Sequence, residues 1–198
     1  LVQMPLVAVL FLVGVVGVLF GIGRTVFSAT CTKGIWSAGA GTVLTVEQAK
    51  RAVAAGAKFL VSPGFNPSVV KYCVDNEIPV TPGVNSPSQI EQGLELGLSV
   101  LKFFPAEQSG GLEMLKAFAG PYGGVRYIPT GGINAANMKD YLAFSKVLAV
   151  GGSWMVKPEW VAAGRFDEIS RLCREAVMGA LNFELRHVGI NEPNADVS

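Results

Sequence analysis

The sequence predicts an α/β protein, a (β/α)8 barrel that is incomplete or atypical at its N-terminus. Three observations carry that reading. Short apolar strands recur from residue 36 onward, each ends in polar or glycine residues, and helical patterns fill the gaps between them. Strands alternating with helices, without hairpin signals, describe a parallel sheet with right-handed crossovers. Polar residues at the end of every strand favour a barrel over an open sheet, because barrel chemistry collects at that one face.

Length and charge bound the rest. The chain has 198 residues, with 16 basic and 15 acidic side chains and a formal charge of +1. It therefore suits a single domain spanning 1–198, with no second ordinary domain. No basic excess exists to neutralise phosphates, so nucleic acid is not an expected partner. The cysteines, Cys31, Cys73 and Cys173, are odd in number and far apart, which suits free thiols in a reducing, cytoplasmic compartment. His187 is the single histidine, too little for a zinc cluster or a serine–histidine–aspartate triad.

Taken in order, residues 1–35 form an atypical apolar segment. The first charge is Arg24 and the first carboxylate Glu47, so residues 1–23 are an uncharged run long enough to cross a bilayer. Pro5 and glycines 14, 17, 21 and 23 weaken a helix there, and no basic stretch marks a signal peptide. Strands covered on both faces also read as continuous apolar runs, as does a segment whose polar residues have been lost, and the run alone does not separate these readings. Membrane association is not expected.

Strands follow at Ser37–Val43, Phe59–Pro63, Pro79–Val84, Val100–Pro105, Arg126–Gly131 and Val147–Ser153. Val46–Ala55 reads as a helix that Thr45 caps and Gly56 ends, and Ser86–Leu96 as one that Pro87 opens and Gly97 closes. Asn134–Ala143 and Phe166–Leu181 complete the alternation. Residues 183–198 form a polar tail.

Lys102 is the leading chemical candidate. Alternation points it the same way as Val100 and Phe104, and an apolar interior there would lower its pKa and supply a nucleophilic amine. A lysine snorkelling from a strand end is the competing reading. Pro129-Thr130-Gly131-Gly132 and Val150-Gly151-Gly152-Ser153 each end a strand before a helix. Paired glycines let the backbone approach an anion, which suggests a phosphorylated ligand. Gly39-Ala40-Gly41-Thr42-Val43 offers a hydroxyl and amide groups at an earlier strand end, or simply a strand packed closely on a helix.

Together, GAGTV (39–43), SPG (62–64), PGV (82–84), LKFFPAE (101–107), GP (120–121), PTGGI (129–133) and GGSW (151–154) resemble the bacterial 2-keto-3-deoxy-6-phosphogluconate and 4-hydroxy-2-oxoglutarate aldolases. The match runs in order from about Ser37 to Leu181. The resemblance implies a class I aldolase, usually a homotrimer, that needs no metal or other cofactor. It implies cleavage of 2-keto-3-deoxy-6-phosphogluconate to pyruvate and glyceraldehyde 3-phosphate. Lys102 then corresponds to the Schiff-base lysine and Thr42 to a residue that binds the pyruvate carboxylate. Thr130 corresponds to a residue that orients substrate, while Pro82 and Phe104 line the pocket. Gly131, Gly132, Gly151, Gly152 and Ser153 correspond to the phosphate loops.

One element of the pattern is missing. The family places a glutamate, and an arginine four residues later, one unit before GAGTV, where counting back without gaps reaches Gly14 and Val18. Arg24-Thr25 matches only with a gap. Glu107 is the nearest carboxylate, and a loop residue pairing locally is the simpler reading of it, so no base is assigned. An incomplete or damaged N-terminal segment is expected, in preference to a discarded base. The alternatives carried forward are 4-hydroxy-2-oxoglutarate or an epimeric sugar acid as substrate, and a non-catalytic phosphate-binding barrel.

Overall fold

A computed structural model of the chain describes residues 8–15, 26–32 and 35–180. It opens with three strands, β1 (Ala8–Val15), β2 (Val26–Thr32) and β3 (Ile35–Gly41). Their pairing corrects the all-parallel expectation: β2 runs antiparallel to both β1 and β3, with Leu10 opposite Thr30 and Val26 opposite Gly41. Only residues 33 and 34 separate β2 from β3, and so short a link closes an antiparallel pair, never a parallel crossover. The apolar run thus contains strand β1. Among the described residues no helix is long and apolar enough to cross a membrane. The polar tail, residues 183–198, lies outside the described residues.

After β3 the expected alternation holds. Helix α1 (Val46–Ala54) begins where Thr45 Oγ1 accepts the Gln48 N–H at 3.2 Å. It ends before Gly56, whose φ of +97° suits glycine. Strand β4 (Leu60–Val61) leads to α2 (Pro67–Asp75), a helix the sequence reading passed over. Its signal was Asn66-Pro67: the Asn66 carboxamide oxygen accepts the Ser68 and Val69 N–H groups, and Pro67 occupies the first turn.

The strand expected at Pro79–Val84 is split into β5 (Val80–Thr81) and β6 (Gly83–Val84), followed by α3 (Pro87–Glu95). Pro82 is the reason. It sits where the chain changes partners: the Thr81 carbonyl accepts the Ser62 N–H at 3.3 Å on the β4 side, the Pro82 carbonyl accepts the Lys102 N–H at 3.0 Å on the other, and proline has no N–H to add a second rung there. Strand β7 (Val100–Phe103), a 3-10 turn at Glu107–Ser109, α4 (Gly111–Ala119) and β8 (Arg126–Pro129) come next. Helix α5 (Met138–Ala143) starts four residues later than predicted, because Asn134 and Asn137 hold a turn instead. Strand β9 (Ala149–Gly152), α6 (Pro158–Ala162) and α7 (Phe166–Ala180) complete the described chain.

The strands form two sheets, β5-β4-β3-β2-β1-β9 and β6-β7-β8. These two arcs meet edge to edge, at Pro82 on one side and through bridges Tyr127–Val147 and Thr130–Gly151 on the other. The barrel is therefore irregular, not one continuous ladder.

Side-chain alternation divides the core in two. Outside the strands, Leu101, Phe103 and Tyr127 pack with Ile90, Leu115 and Phe118 of the helices, and Leu60 packs with Ala49, Val69 and Val70. Inside, Val100, Ile128 and Ala149 cluster with Phe59. Gly39 faces them, since a Cβ built on it would lie 2.3 Å from the Phe59 ring. These residues make an apolar floor.

Tyr127 carries a cost in the outer layer. It is fully buried and its hydroxyl has no partner among the described residues. An unsatisfied buried hydroxyl costs roughly 1–3 kcal/mol. Tyr127→Phe keeps the ring on Phe118 and is expected to leave stability unchanged or raise it by about 1 kcal/mol in a urea titration.

Candidate active site

One step above the floor, each strand presents its next inward position. Two residues beyond Val100 is Lys102, two beyond Ile128 is Thr130, and two beyond Ala149 is Gly151. Registers agree, with Lys102 paired to Ile128 and Thr130 bridged to Gly151. The lysine thus sits over an apolar floor at the C-terminal end of β7. It is 5% exposed, and burial pushes its pKa down to about 8. Its Nζ lies 4.3 Å from the Phe104 ring centroid. Ion pairs among the described residues, such as Lys71–Asp75 and Arg171–Glu175, lie on exposed helix faces, and none of them involves Lys102. The snorkelling alternative fails on this burial.

Thr130 is also 5% exposed, and its Oγ1 would lie 2.6 Å from a Cβ at residue 151, so glycine is required there. Gly131 and Gly132 follow with φ of +97° and +80°. The carbonyls of this turn are all engaged. The Thr130 oxygen accepts the Ala106 N–H at 2.8 Å, and the Gly131 oxygen accepts the Glu107 N–H at 3.1 Å. The Gly132 oxygen accepts both the Asn134 and Asn137 carboxamide N–H groups at 3.2 Å. A buried amine and a glycine turn therefore lie at the same end of β7 and β8.

Comparison with known proteins agrees with that geometry. Residues 33–172 match the model of the KDPG and KHG aldolase family. The chain belongs to that family. It is 54% identical over 139 residues to the 2-dehydro-3-deoxy-phosphogluconate aldolase of Treponema pallidum, covering 70% of this chain and 66% of that protein. It is 47% identical over 142 residues to the KHG/KDPG aldolase of Escherichia coli K12, covering 72% and 67%. A KDPG aldolase of Legionella pneumophila, solved with pyruvate captured as a covalent carbinolamine, superposes with a TM-score of 0.68 at 43% identity, covering 70% and 67%. The Zymomonas mobilis enzyme, solved with 3-phosphoglycerate, gives 0.65 at 41% identity, covering 70% and 65%. The match spans just under two thirds of the Treponema protein's length.

Within this aldolase fold the remaining candidates are distributed as follows. Thr42 ends β3 at the same face, exposed and with φ of +60°, a left-handed conformation that costs a β-branched residue roughly 1–3 kcal/mol. Pro82 is buried and meets Lys102 through its backbone carbonyl. Gly152 lies under Trp154, whose ring would be 1.8 Å from an added Cβ. Ser153 is exposed at the end of β9, and its carbonyl accepts the Val156 N–H.

Of the positions tied to a base, Gly14 lies in β1, while Val18, Arg24 and Thr25 fall outside the described residues. Glu107 does not pair locally, contrary to its simpler reading: one carboxylate oxygen accepts the hydroxyl of Tyr141, on α5 and 34 residues away. Ser62, at the C-terminal end of β4, was passed over. It is 2% exposed and its hydroxyl has no partner among the described residues. A hydroxyl just before Pro63-Gly64 at a strand end was the available signal.

Proposed function

We propose that the chain is a metal-independent class I aldolase that cleaves 2-keto-3-deoxy-6-phosphogluconate to pyruvate and glyceraldehyde 3-phosphate, with Lys102 as the Schiff-base residue. The burial of Lys102 over an apolar floor, with no carboxylate among the described residues pairing it, is the observation that carries this reading. The covalently captured pyruvate in the Legionella enzyme supports the same chemistry.

Neutral Lys102 Nζ adds to the C2 carbonyl, and loss of water gives an iminium. As the C4 hydroxyl loses its proton, the C3–C4 bond breaks and its electrons pass to the iminium nitrogen. Glyceraldehyde 3-phosphate leaves and an enamine remains. Protonation at C3 and hydrolysis release pyruvate and restore the amine. Desolvation contributes by populating the neutral amine, about one molecule in ten at pH 7 for a pKa near 8. The Phe104 ring faces the nitrogen as it becomes cationic, a favourable contact.

Thr42 holds the substrate carboxylate, Thr130 orients the chain, and Pro82 and Phe104 line the pocket. Gly131 and Gly132, with Gly151, Gly152 and Ser153, receive the phosphate, in keeping with the 3-phosphoglycerate in the Zymomonas enzyme. The working form is a cytoplasmic homotrimer. The name of the Escherichia coli relative favours 4-hydroxy-2-oxoglutarate as a second substrate.

Pyruvate release from both substrates tests the assignment. A higher kcat/KM for the phosphorylated substrate is expected. Equal values would transfer the preference to 4-hydroxy-2-oxoglutarate, and no pyruvate from either would remove the enzyme reading. Thr42→Gly separates strain from function: relief of the left-handed backbone is expected to stabilise the fold by about 1 kcal/mol, while loss of the hydroxyl raises KM. Thermal denaturation and steady-state kinetics on the same sample read both.

A further inference from the structure

The loop after Lys102 and the glycine turn after β8 are joined by more than backbone. The Glu107 methylenes lie against Gly132, where an added Cβ would come within 2.4 Å of Glu107 Cγ. The carboxylate reaches past them to α5, where Tyr141, 2% exposed, donates its hydroxyl to Oε1. Gly111 passes close alongside: a Cβ there would stand 3.2 Å from the Tyr141 hydroxyl and 3.4 Å from Glu107 Oε1. Burial and the adjacent carboxylate push the Tyr141 phenol up, so it remains a donor at any working pH. The Glu107 N–H is bound to Gly131 O at 3.1 Å. One residue thus grips the turn by its amide, covers it with its stem, and is itself tethered by its carboxylate.

We propose that Glu107 and Tyr141 are positioning residues, a latch that sets the Gly131–Gly132 turn against the Lys102 strand and so tunes selectivity for phosphorylated substrates. The substrate part of this rests on the function proposed above. The latch works through hydrogen bonding, not through carboxylate basicity, and this makes it separable from a catalytic role.

The test compares Tyr141→Phe, Glu107→Ala and Glu107→Gln in the full chain. Amide hydrogen exchange at residues 131–133 reads the turn directly. Inorganic phosphate titration and KM for a phosphorylated and an unphosphorylated 2-keto acid read its use. In Tyr141→Phe and Glu107→Ala, exchange should accelerate, and both phosphate affinity and the phosphorylated-substrate KM should worsen by about tenfold, the scale of one lost charge-assisted hydrogen bond. The unphosphorylated KM and pyruvate capture at Lys102 should stay within about twofold. Glu107→Gln keeps an acceptor oxygen for Tyr141 and should restore near-native behaviour. Unchanged exchange in Tyr141→Phe, or equal losses for both substrates, would overturn the latch. So would a Glu107→Gln variant as impaired as Glu107→Ala, which would mark a chemical role for the carboxylate. If the parent protein turns over neither substrate, the function above fails, while exchange and phosphate binding still decide the latch.

Discussion

Lys102→Met is expected to end pyruvate release, lowering turnover by about 10⁴-fold or more, because the covalent electron sink has no substitute among its neighbours. The same substitution is expected to stabilise the protein. Burial disfavours the ammonium and holds the folded-state pKa near 8, against an ordinary 10.5. Between those values the unfolded chain binds a proton that the folded chain lacks, so stability rises with pH across about 8 to 10.5. Below pH 8 both states are protonated and the full penalty stands, up to about 3 kcal/mol at 1.36 kcal/mol per unit. Methionine removes it. Urea titrations at pH 7 should show the variant more stable than the parent, with the gap closing as pH approaches 10.5. The pH profile of kcat/KM in the parent should rise through about 8 as the amine is freed.

Gly83→Ala carries the second large effect. Gly83 pairs with Lys102 across β6 and β7, and a Cβ on it would lie 2.0 Å from Pro63 O, 2.4 Å from its carbonyl carbon and 2.9 Å from Gly64 N. Those are backbone atoms and cannot rotate away. The loop after β4 must shift, at a cost of about 3 kcal/mol. Loosening beside Lys102 admits water, so its pKa should climb back toward the ordinary value and the pH profile move to the alkaline side. Gly64→Ala is the control. Nothing lies within 4 Å of a Cβ there, and both stability and the profile should stay near those of the parent. Thermal melts and pH–rate curves on the pair would separate a local clash from a general sensitivity of the loop.

Local chemistry was the readable part of this chain. Thr45 and Pro87 open helices where expected, and the inward position of Lys102 follows from its alternation with Val100 and Phe104. What the sequence concealed depends on partners far away or on uniform composition. Nothing in the residue types of Val26–Thr32 marks strand direction, so the sequence did not reveal that β2 is antiparallel to its neighbours. The split at Pro82 arises because Thr81 serves β4 while Pro82 turns to β7, where its carbonyl accepts the Lys102 N–H but its ring leaves no N–H to return. The strain at Thr42 contradicts that residue's own backbone preference, and the tether on Glu107 comes from a tyrosine 34 residues away. Both lie at the mouth, where local rules yield to function.

Borohydride reduction in the presence of pyruvate, followed by peptide mass mapping, tests the central claim most directly. The expected result is one reduced pyruvate adduct, on the peptide that contains Lys102, abolished in Lys102→Met. An unlabelled protein, or label on a surface lysine such as Lys71 or Lys116, would contradict Schiff-base chemistry at this site.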